Sequence, residues 1–168
     1  FALYPTIVDV GGAYGTMLAA ILRQYPQARG VLLDLPNIVA GADPVLAETA
    51  SRVSRVGGNF LEDPLPAGDC YVLKHVLHNW TDEQCITLLK SVREAMNPGA
   101  RVVIVEMFMP DDEPTGPVML LDLAMMVIMD SKERTNAEFA SLCASAGLKV
   151  TRTIPTGSAF GIIEAEAL

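Results

Sequence analysis

The sequence has 168 residues, the length of a single domain, and it is long enough to bury a core without disulfide bonds. Its formal net charge is −8 and it contains no run of Lys or Arg, which argues against a protein that binds nucleic acid. Its apolar runs are shorter than the ~18 residues of a membrane span, so we expect no transmembrane segment.

Short apolar runs alternate with longer segments of helical period, a pattern typical of an α/β protein with a parallel sheet covered by helices. Strands are predicted at residues 6–10, 31–35, 52–56, 71–75 and 101–106. Helices are predicted at residues 17–25, 81–96, 117–130 and 135–146. Thr81 and Thr135 each begin a helix with the spacing of a capping box. Residues 149–153 and 161–166 predict a closing antiparallel hairpin, which brings the total to seven strands.

A glycine-rich turn follows the first predicted strand, and an acidic residue ends the second. The turn reads Asp9-x-Gly11-x-Ala13-x-Gly15, and Asp34 comes 23 residues after Gly11. Glycines let the backbone approach a ligand, and an acid at the end of strand two binds ribose hydroxyls in open α/β sheets. The dinucleotide spacing G-x-G-x-x-G is absent, so the turn favours S-adenosylmethionine. The alternative is that the glycines only form a tight turn between strand and helix.

Seven motifs follow one another along the chain. They are Val8-Asp9-Val10-Gly11-Gly12, Asp34-Leu35-Pro36, Gly57-Gly58-Asn59-Phe60, Leu77-His78-Asn79-Trp80-Thr81-Asp82-Glu83, Glu106, Leu121-Asp122-Leu123 and Lys132-Glu133-Arg134-Thr135. Together they resemble the S-adenosylmethionine-dependent O-methyltransferases of the plant caffeate and flavonoid type and their bacterial natural-product relatives. The resemblance implies a Rossmann-like class I methyltransferase fold, with a mostly parallel seven-stranded sheet and helices on both faces. It also implies S-adenosylmethionine as the cofactor, S-adenosylhomocysteine as its product, and no metal.

The same resemblance implies a cofactor site made from the first three of these motifs and Lys74. Asp34 is expected on the ribose, with Asn59 and Phe60 around the adenine. Lys74 is expected near the adenine end, and the glycines after the first strand are expected against the methionine moiety. The full predicted set is Asp9, Gly11, Gly12, Asp34, Leu35, Gly58, Asn59, Phe60 and Lys74.

One histidine and two carboxylates are the predicted catalytic residues. His78 follows strand four, and an imidazole suits the deprotonation of a phenol, whose pKa is about 10. Glu106 ends the neighbouring strand, so we expect its carboxylate to reach the imidazole and fix its tautomer. The resemblance adds Glu133 as a second flanking carboxylate. Alternatively, Glu106 is a solvated strand end and Glu133 part of a solvated loop; His75 is expected to be a core histidine.

The acceptor site is also inferred from the resemblance. Its predicted residues are Trp80, Asp122, Met125 and Met129. In the family, a Met at the position of Met125 packs on the aromatic acceptor, although the methionines of this segment could be plain core. Three departures bear on the site: Ala13 stands where glycine is usual, Asn79 where Asp is usual, and the loop at residues 111–116 is short. The identity of the acceptor therefore cannot be transferred.

Cysteine usage indicates the compartment. The three cysteines lie in apolar stretches and form no C-x-x-C pair, which favours reduced thiols in a cytoplasmic protein and excludes a structural zinc site of that type.

The resemblance further implies an N-terminal helical domain that dimerises and forms the back wall of the acceptor pocket. The sequence starts five residues before its first predicted strand. We therefore expect residues 1–168 to be one S-adenosylmethionine-binding catalytic domain without that N-terminal domain, and the full-length protein to be a homodimer.

Other functions fit the same fold. Relatives exist that keep the cofactor but decarboxylate, hydroxylate or catalyse pericyclic steps, and a non-catalytic subunit is a further alternative. A nicotinamide dehydrogenase is disfavoured by the glycine spacing. The combination of His78, Glu106 and Glu133 favours methyl transfer to a hydroxyl of a small aromatic or polyketide-type acceptor. Accumulation of S-adenosylhomocysteine during turnover would distinguish methyl transfer from the reactions of relatives that only keep the cofactor.

Overall fold

The computed structural model describes residues 1–110, 117–129 and 131–168, without the side chains of Pro117 and Met129. The strands are β1 (Thr6–Val10), β2 (Arg29–Asp34), β3 (Val53–Gly57), β4 (Gly68–Lys74), β5 (Met96–Met107), β6 (Leu148–Pro155) and β7 (Phe160–Ala167). The helices are α1 (Thr16–Gln24), α2 (Pro36–Val39), α3 (Asp43–Leu46), α4 (Asp82–Ala95), α5 (Pro117–Met129) and α6 (Asn136–Ser145). The loop expected at residues 111–116 lies outside the described residues.

The strands of the described chain form one sheet in the order β3-β2-β1-β4-β5-β7-β6. The pairs among β1 to β5 are parallel, whereas β7 runs antiparallel to both β5 and β6. The mostly parallel sheet and its C-terminal antiparallel hairpin are thus confirmed. Because parallel strands end at the same edge of a sheet, the residues after β1, β2, β4 and β5 come together there.

Helices cover both faces of the sheet, and the alternation of side chains along β1 shows the division. Ile7 packs in a cluster with Leu18 and Leu22 of α1. Val8, the next residue, packs in the opposite cluster with side chains of α4 and α6 such as Leu88 and Phe139. Strands buried on both faces need apolar residues at nearly every position, which explains the continuous apolar runs in the sequence.

Both predicted capping boxes are present. The Thr81 hydroxyl accepts from the backbone N–H of Gln84, and Thr135 makes the same bond with Glu138. The helix predicted at residues 81–96 ends at Ala95, so the inclusion of Met96 is wrong, because Met96 begins β5. Pro98 follows it closely and disfavours helical backbone in the preceding residue.

Helix α5 is apolar, and much of its surface is exposed. Leu120 is 74% exposed and Val127 is 84% exposed. The interpretation of the methionines as core is wrong for Met119 and Met126, which are also exposed. The exposed face of α5 is therefore an apolar surface.

The cysteines Cys70, Cys85 and Cys143 are buried free thiols, in agreement with the expected reduced state. Burial raises the pKa of Cys70 to about 12 and that of Cys85 to about 11, so both thiols are protonated and unreactive at neutral pH. Among the described residues, no helix combines the length and the apolar character needed to cross a membrane.

Candidate active site

A cleft opens at the sheet edge where β1, β2 and β4 end. One part has a volume of about 490 Å³ and is lined by Asp9, Gly11, Gly12, Lys74 and residues at the start of α1. A second part of about 260 Å³ is lined by Gly11, Asp34, Phe60, Val76, Asn79 and Trp80. Gly11 and His75 line both parts, so the two parts adjoin.

The glycine turn needs its small residues at two positions. Gly11 has a φ of 66°, in the left-handed region that favours glycine. At Gly12 an added Cβ would lie 2.5 Å from the carboxyl carbon of Asp9. Ala13, the departure from the family pattern, also takes a left-handed φ of 50°.

Asp34 holds this turn in place. Its Oδ2 accepts from the N–H of Ala13 and its Oδ1 from the N–H of Leu35, both at 2.8 Å. A carboxylate has about four lone-pair sites, so both oxygens can still accept from the hydroxyls of a ligand. The side chain of Leu35 is exposed, and its backbone N–H donates to Asp34.

Asp9 is a buried carboxyl group at the methionine end of the predicted site. It is 1% exposed, and burial raises its pKa to about 7. Its Oδ2 has no hydrogen-bond partner among the described residues. Such an oxygen beside a glycine turn fits the ammonium group of an amino acid, so the residues present suit the methionine moiety of the cofactor.

The other end of the cleft carries the aromatic residues. Phe60 and Trp80 meet edge to face with ring centroids 5.8 Å apart, and both line the same part as Asp34. Asn59 uses its side-chain oxygen to accept from the N–H of Leu61, so its amide caps the turn that supports Phe60.

Two further predicted cofactor residues lie at the edges of the cleft. Gly58 stands beside Asp63, at a distance of 3.0 Å from an added Cβ to the carboxylate. Lys74 lines the part of the cleft that contains Asp9 and not the part with Phe60 and Trp80, which favours a place near the amino-acid moiety over the expected one near the adenine. At the end of β4 the Lys74 ammonium lies over the Phe160 ring, 5.4 Å from its centroid.

The three predicted catalytic residues come together and are all buried. His78 Nδ1 lies 2.8 Å from Glu133 Oε1, and His78 is 6% exposed. The Oε1 atom of Glu106 accepts from the N–H groups of Val76 and Leu77 at 3.0 and 2.9 Å, with a longer bond from His78 N at 3.4 Å. Glu106 therefore fixes the backbone of the turn that carries His78.

This geometry corrects one expectation. The carboxylate that bonds to the imidazole is Glu133 and not Glu106. Glu106 Oε1 accepts from the N–H groups of the turn, and its Oε2 has no hydrogen-bond partner among the described residues. The readings of Glu106 and Glu133 as solvated side chains are wrong as well, since they are 0% and 3% exposed.

Charge and burial act against each other at His78. Burial lowers the pKa of His78, but the hydrogen bond to Glu133 and the charge of Glu106 outweigh it and leave the pKa above its ordinary value. Burial raises the pKa of Glu106 to about 7. The cluster can thus exchange a proton near neutral pH while stabilising an imidazolium.

His75 is the site residue that the sequence interpretation missed. It is half-buried and not core, it has a left-handed φ of 56°, and its ring meets that of His78 at 4.4 Å and that of Phe160 at 4.8 Å. Burial and the neighbouring His78 lower the pKa of His75, so it is neutral. No sequence signal reveals a left-handed residue at this position.

Ligand atoms of His75, His78 and Glu106 lie within 4.8 Å of one another, a group of the kind that can bind a metal ion. The absence of a metal therefore stays a prediction.

The predicted acceptor residues are placed unevenly. Trp80 lines the cleft and Met125 is half-buried on α5. Asp122 Oδ1 accepts from the backbone N–H of Glu133 at 2.9 Å, so Asp122 contacts the backbone of the His78–Glu133 pair. The side chain of Met129 lies outside the described residues.

Comparison with known proteins gives one family. Residues 1–149 match the model of the O-methyltransferase domain. The chain is 38% identical over 170 residues to phenazine O-methyltransferase PhzM of Lysobacter antibioticus, covering 100% of this chain and 50% of that protein. The chain spans about half the length of the curated relatives it matches.

Two solved structures illustrate the similarity of fold. The mitomycin 7-O-methyltransferase MmcR superposes with a TM-score of 0.95 at 33% identity, over 100% of this chain and 50% of that one. The O-methyltransferase NcsB1 from neocarzinostatin biosynthesis, in complex with S-adenosylmethionine and 2-hydroxy-5-methyl naphthoic acid, gives a TM-score of 0.89 at 35% identity, over 99% of this chain and 50% of that one.

Proposed function

The chain belongs to the O-methyltransferase domain family, and from this premise we propose that it moves a methyl group from S-adenosylmethionine to a hydroxyl of a small aromatic or polyketide-type acceptor. The observation that carries the proposal is the buried His78–Glu133 pair, 2.8 Å apart, with His78 in the turn whose His75 lines both parts of the cleft that contains Asp9 and Asp34. A base and a cofactor cleft at one sheet edge are the two parts that this reaction needs.

We expect the cleft to hold the cofactor from end to end. Asp9 and Lys74 suit the ammonium and carboxylate of its amino-acid moiety, because they bring opposite charges to the same part of the cleft. Asp34 suits the ribose hydroxyls, and Phe60 and Trp80 suit the adenine. When bound, the cofactor supplies an activated methyl group on a sulfonium.

The proton is handled by His78. Glu133 accepts from Nδ1–H, which assigns the tautomer and leaves the lone pair of Nε2 free. Nε2 takes the proton of the acceptor hydroxyl, and the resulting imidazolium is stabilised by the carboxylates of Glu133 and Glu106. General-base assistance of this kind accelerates reactions by about 10²- to 10⁴-fold.

The acceptor class rests on three supports. Phenazines, mitomycins and a naphthoic acid appear in the names of similar proteins. Trp80 offers an aromatic surface in the cleft, and Met125 on α5 is a half-buried, polarisable side chain that suits an aromatic acceptor. The free Nε2 of His78 requires a group that can lose a proton, which a phenolic hydroxyl provides.

The direct test is a methyl-transfer screen of the protein with phenolic acids, flavonoids, phenazines and polyketides, following S-adenosylhomocysteine and the methylated product together. We expect the two to form in equal amounts with at least one phenol. Product that forms without S-adenosylhomocysteine would favour a relative that keeps the cofactor for another reaction. A homodimer and a cytoplasmic location stay predictions, and sedimentation and fractionation test them.

A further inference from the structure

Arg134 follows Glu133 in the chain and is 1% exposed. Its Nη1 donates to the carbonyl of Leu77 at 2.9 Å, and its Nη2 donates to the carbonyl of Trp80 at 2.7 Å. These carbonyls stand on either side of His78 in the chain. One guanidinium therefore holds the turn that carries His78 at both ends.

The carboxylate of Asp82 balances the charge of this guanidinium. Asp82 Oδ1 accepts from Nε at 2.9 Å and lies 2.8 Å from Nη2. The side chain of Asp82 is 53% exposed, and an ion pair with a solvent-exposed partner contributes little net stability. Stability alone is therefore a weak reason for a buried arginine here, whereas the fork of a guanidinium suits the task of bridging two carbonyls and a carboxylate.

The other member of the pair is held from α5. The N–H of Glu133 donates to Asp122 Oδ1 at 2.9 Å, while the carboxylate of Glu133 meets His78. Glu133 is thus fixed between the side chain of Asp122 and the imidazole. Because Asp122 lies in the middle of α5, one hydrogen bond connects that apolar helix to the base.

We propose that Asp122 and Arg134 are positioning residues of the methyl transfer, which together fix the distance between the Glu133 carboxylate and the His78 ring. Asp122 is accordingly assigned to the support of the base and not to contact with the acceptor. The proposal rests on the proposed function, since a reaction without a base at His78 has no use for this distance.

The first experiment compares Asp122→Ala with Asp122→Asn. Asp122 is half-buried, and Asn keeps an oxygen that can accept from the N–H of Glu133. We expect Asp122→Ala to lower kcat about 10- to 100-fold, the loss typical of a small displacement of a catalytic group. The Kd for S-adenosylhomocysteine should stay within about twofold, and Asp122→Asn should recover most of kcat.

The second experiment reads the base without turnover. The charged groups that face His78 are Glu106, Glu133 and Arg134, and the other titratable neighbour is His75. NMR titration of the imidazole, assigned with His78→Gln, should show a lower pKa in Asp122→Ala and a wild-type pKa in Asp122→Asn. The control is Glu138→Ala, which breaks the capping box of α6 and should lower the melting temperature without moving this titration.

Arg134→Lys tests the other arm, because lysine keeps the charge but cannot bridge the two carbonyls. We expect a lower kcat and a shifted His78 titration in this variant. If Arg134→Lys does not fold, the kcat and the His78 titration of Asp122→Ala still test the proposal. The proposal is overturned if Asp122→Ala changes stability alone, if Asn fails to restore kcat, or if the His78 titration does not move. A wild-type protein that transfers no methyl group would overturn the proposed function, while the titration would still judge the positioning.

Discussion

The cofactor side and the base side of this site are assembled in different ways. The cofactor side consists of turns directly after β1, β2 and β3, each readable as a short motif, together with Lys74 at the end of β4. On the base side, His78 meets Glu133 across 55 residues of sequence, and Glu106 reaches the turn from 28 residues away. Local motifs thus build the binding half, and long-range contacts build the chemical half.

The two sides also differ in what a substitution should disturb. Asp34 is half-buried and bonds to backbone N–H groups, so it acts through geometry and direct contact with the ligand. His78, Glu106 and Glu133 are buried and electrostatically coupled. Damage to the first group should appear in affinity, and damage to the second in rate and pH dependence.

The largest effect is expected for His78→Gln. Loss of the general base should lower kcat by about 10²- to 10⁴-fold, because a phenol is mostly protonated at neutral pH. The Kd for S-adenosylhomocysteine, measured by calorimetry, should be nearly unchanged. A variant with the wild-type rate on a phenol at pH 7 would remove His78 from the mechanism.

Asp34→Ala should break the cofactor side instead. Two ribose hydroxyls would lose a charged acceptor, at about 1.5–3 kcal/mol per bond, which corresponds to a loss of at least about tenfold for a single bond. The backbone N–H of Ala13 would lose its partner as well. Asp43→Ala, which removes an exposed carboxylate paired with Arg55, is the matched control and should bind normally. Equal Kd values for Asp34→Ala and wild type would contradict the ribose assignment.

Glu133→Gln sharpens the comparison through pH. The pKa of His78 is raised by its bond to Glu133, so the base is protonated, and activity is low, until the pH rises through that raised pKa. Removing the charge of Glu133 lowers this pKa, so the acid limb of kcat should move to lower pH, and kcat at its plateau should fall about tenfold or more. A limb that stays in place would mean that Glu133 does not act on His78.

The sequence predicted the local elements around the site better than the contacts between distant residues, for a physical reason. The residues of β1 and the capping box at Thr81 depend on local spacing, and both were predicted correctly. The partner of the imidazole was not, because Glu106 and Glu133 both lie close to His78 in the folded chain, and only the assembled turn shows which of them bonds to the ring. The left-handed backbone of His75 is likewise a property of the assembled turn.

The smallest effect is expected for Thr81→Ala, which removes the N-cap of α4 next to the site. It should cost about 1 kcal/mol of stability, or roughly 2–4 °C in Tm for a domain of this size. Thr81→Ser should retain the cap. Neither variant should change kcat relative to the Kd for the cofactor. A thermal melt checks the stability, and a rate assay checks kcat. A large loss of rate in Thr81→Ala would show that the base side extends into the helix cap.

The central claim is that a buried His78–Glu133 pair deprotonates a hydroxyl that then receives the methyl group. The most direct measurement is the rate of S-adenosylhomocysteine and methyl ether formation across pH, with saturating cofactor and a phenolic acceptor, in wild type and in His78→Gln. The account predicts equal amounts of the two products, a wild-type rate that rises with pH through the raised pKa of His78, and a variant without that rise. Equal rates in both proteins, or S-adenosylhomocysteine without methyl ether, would contradict it.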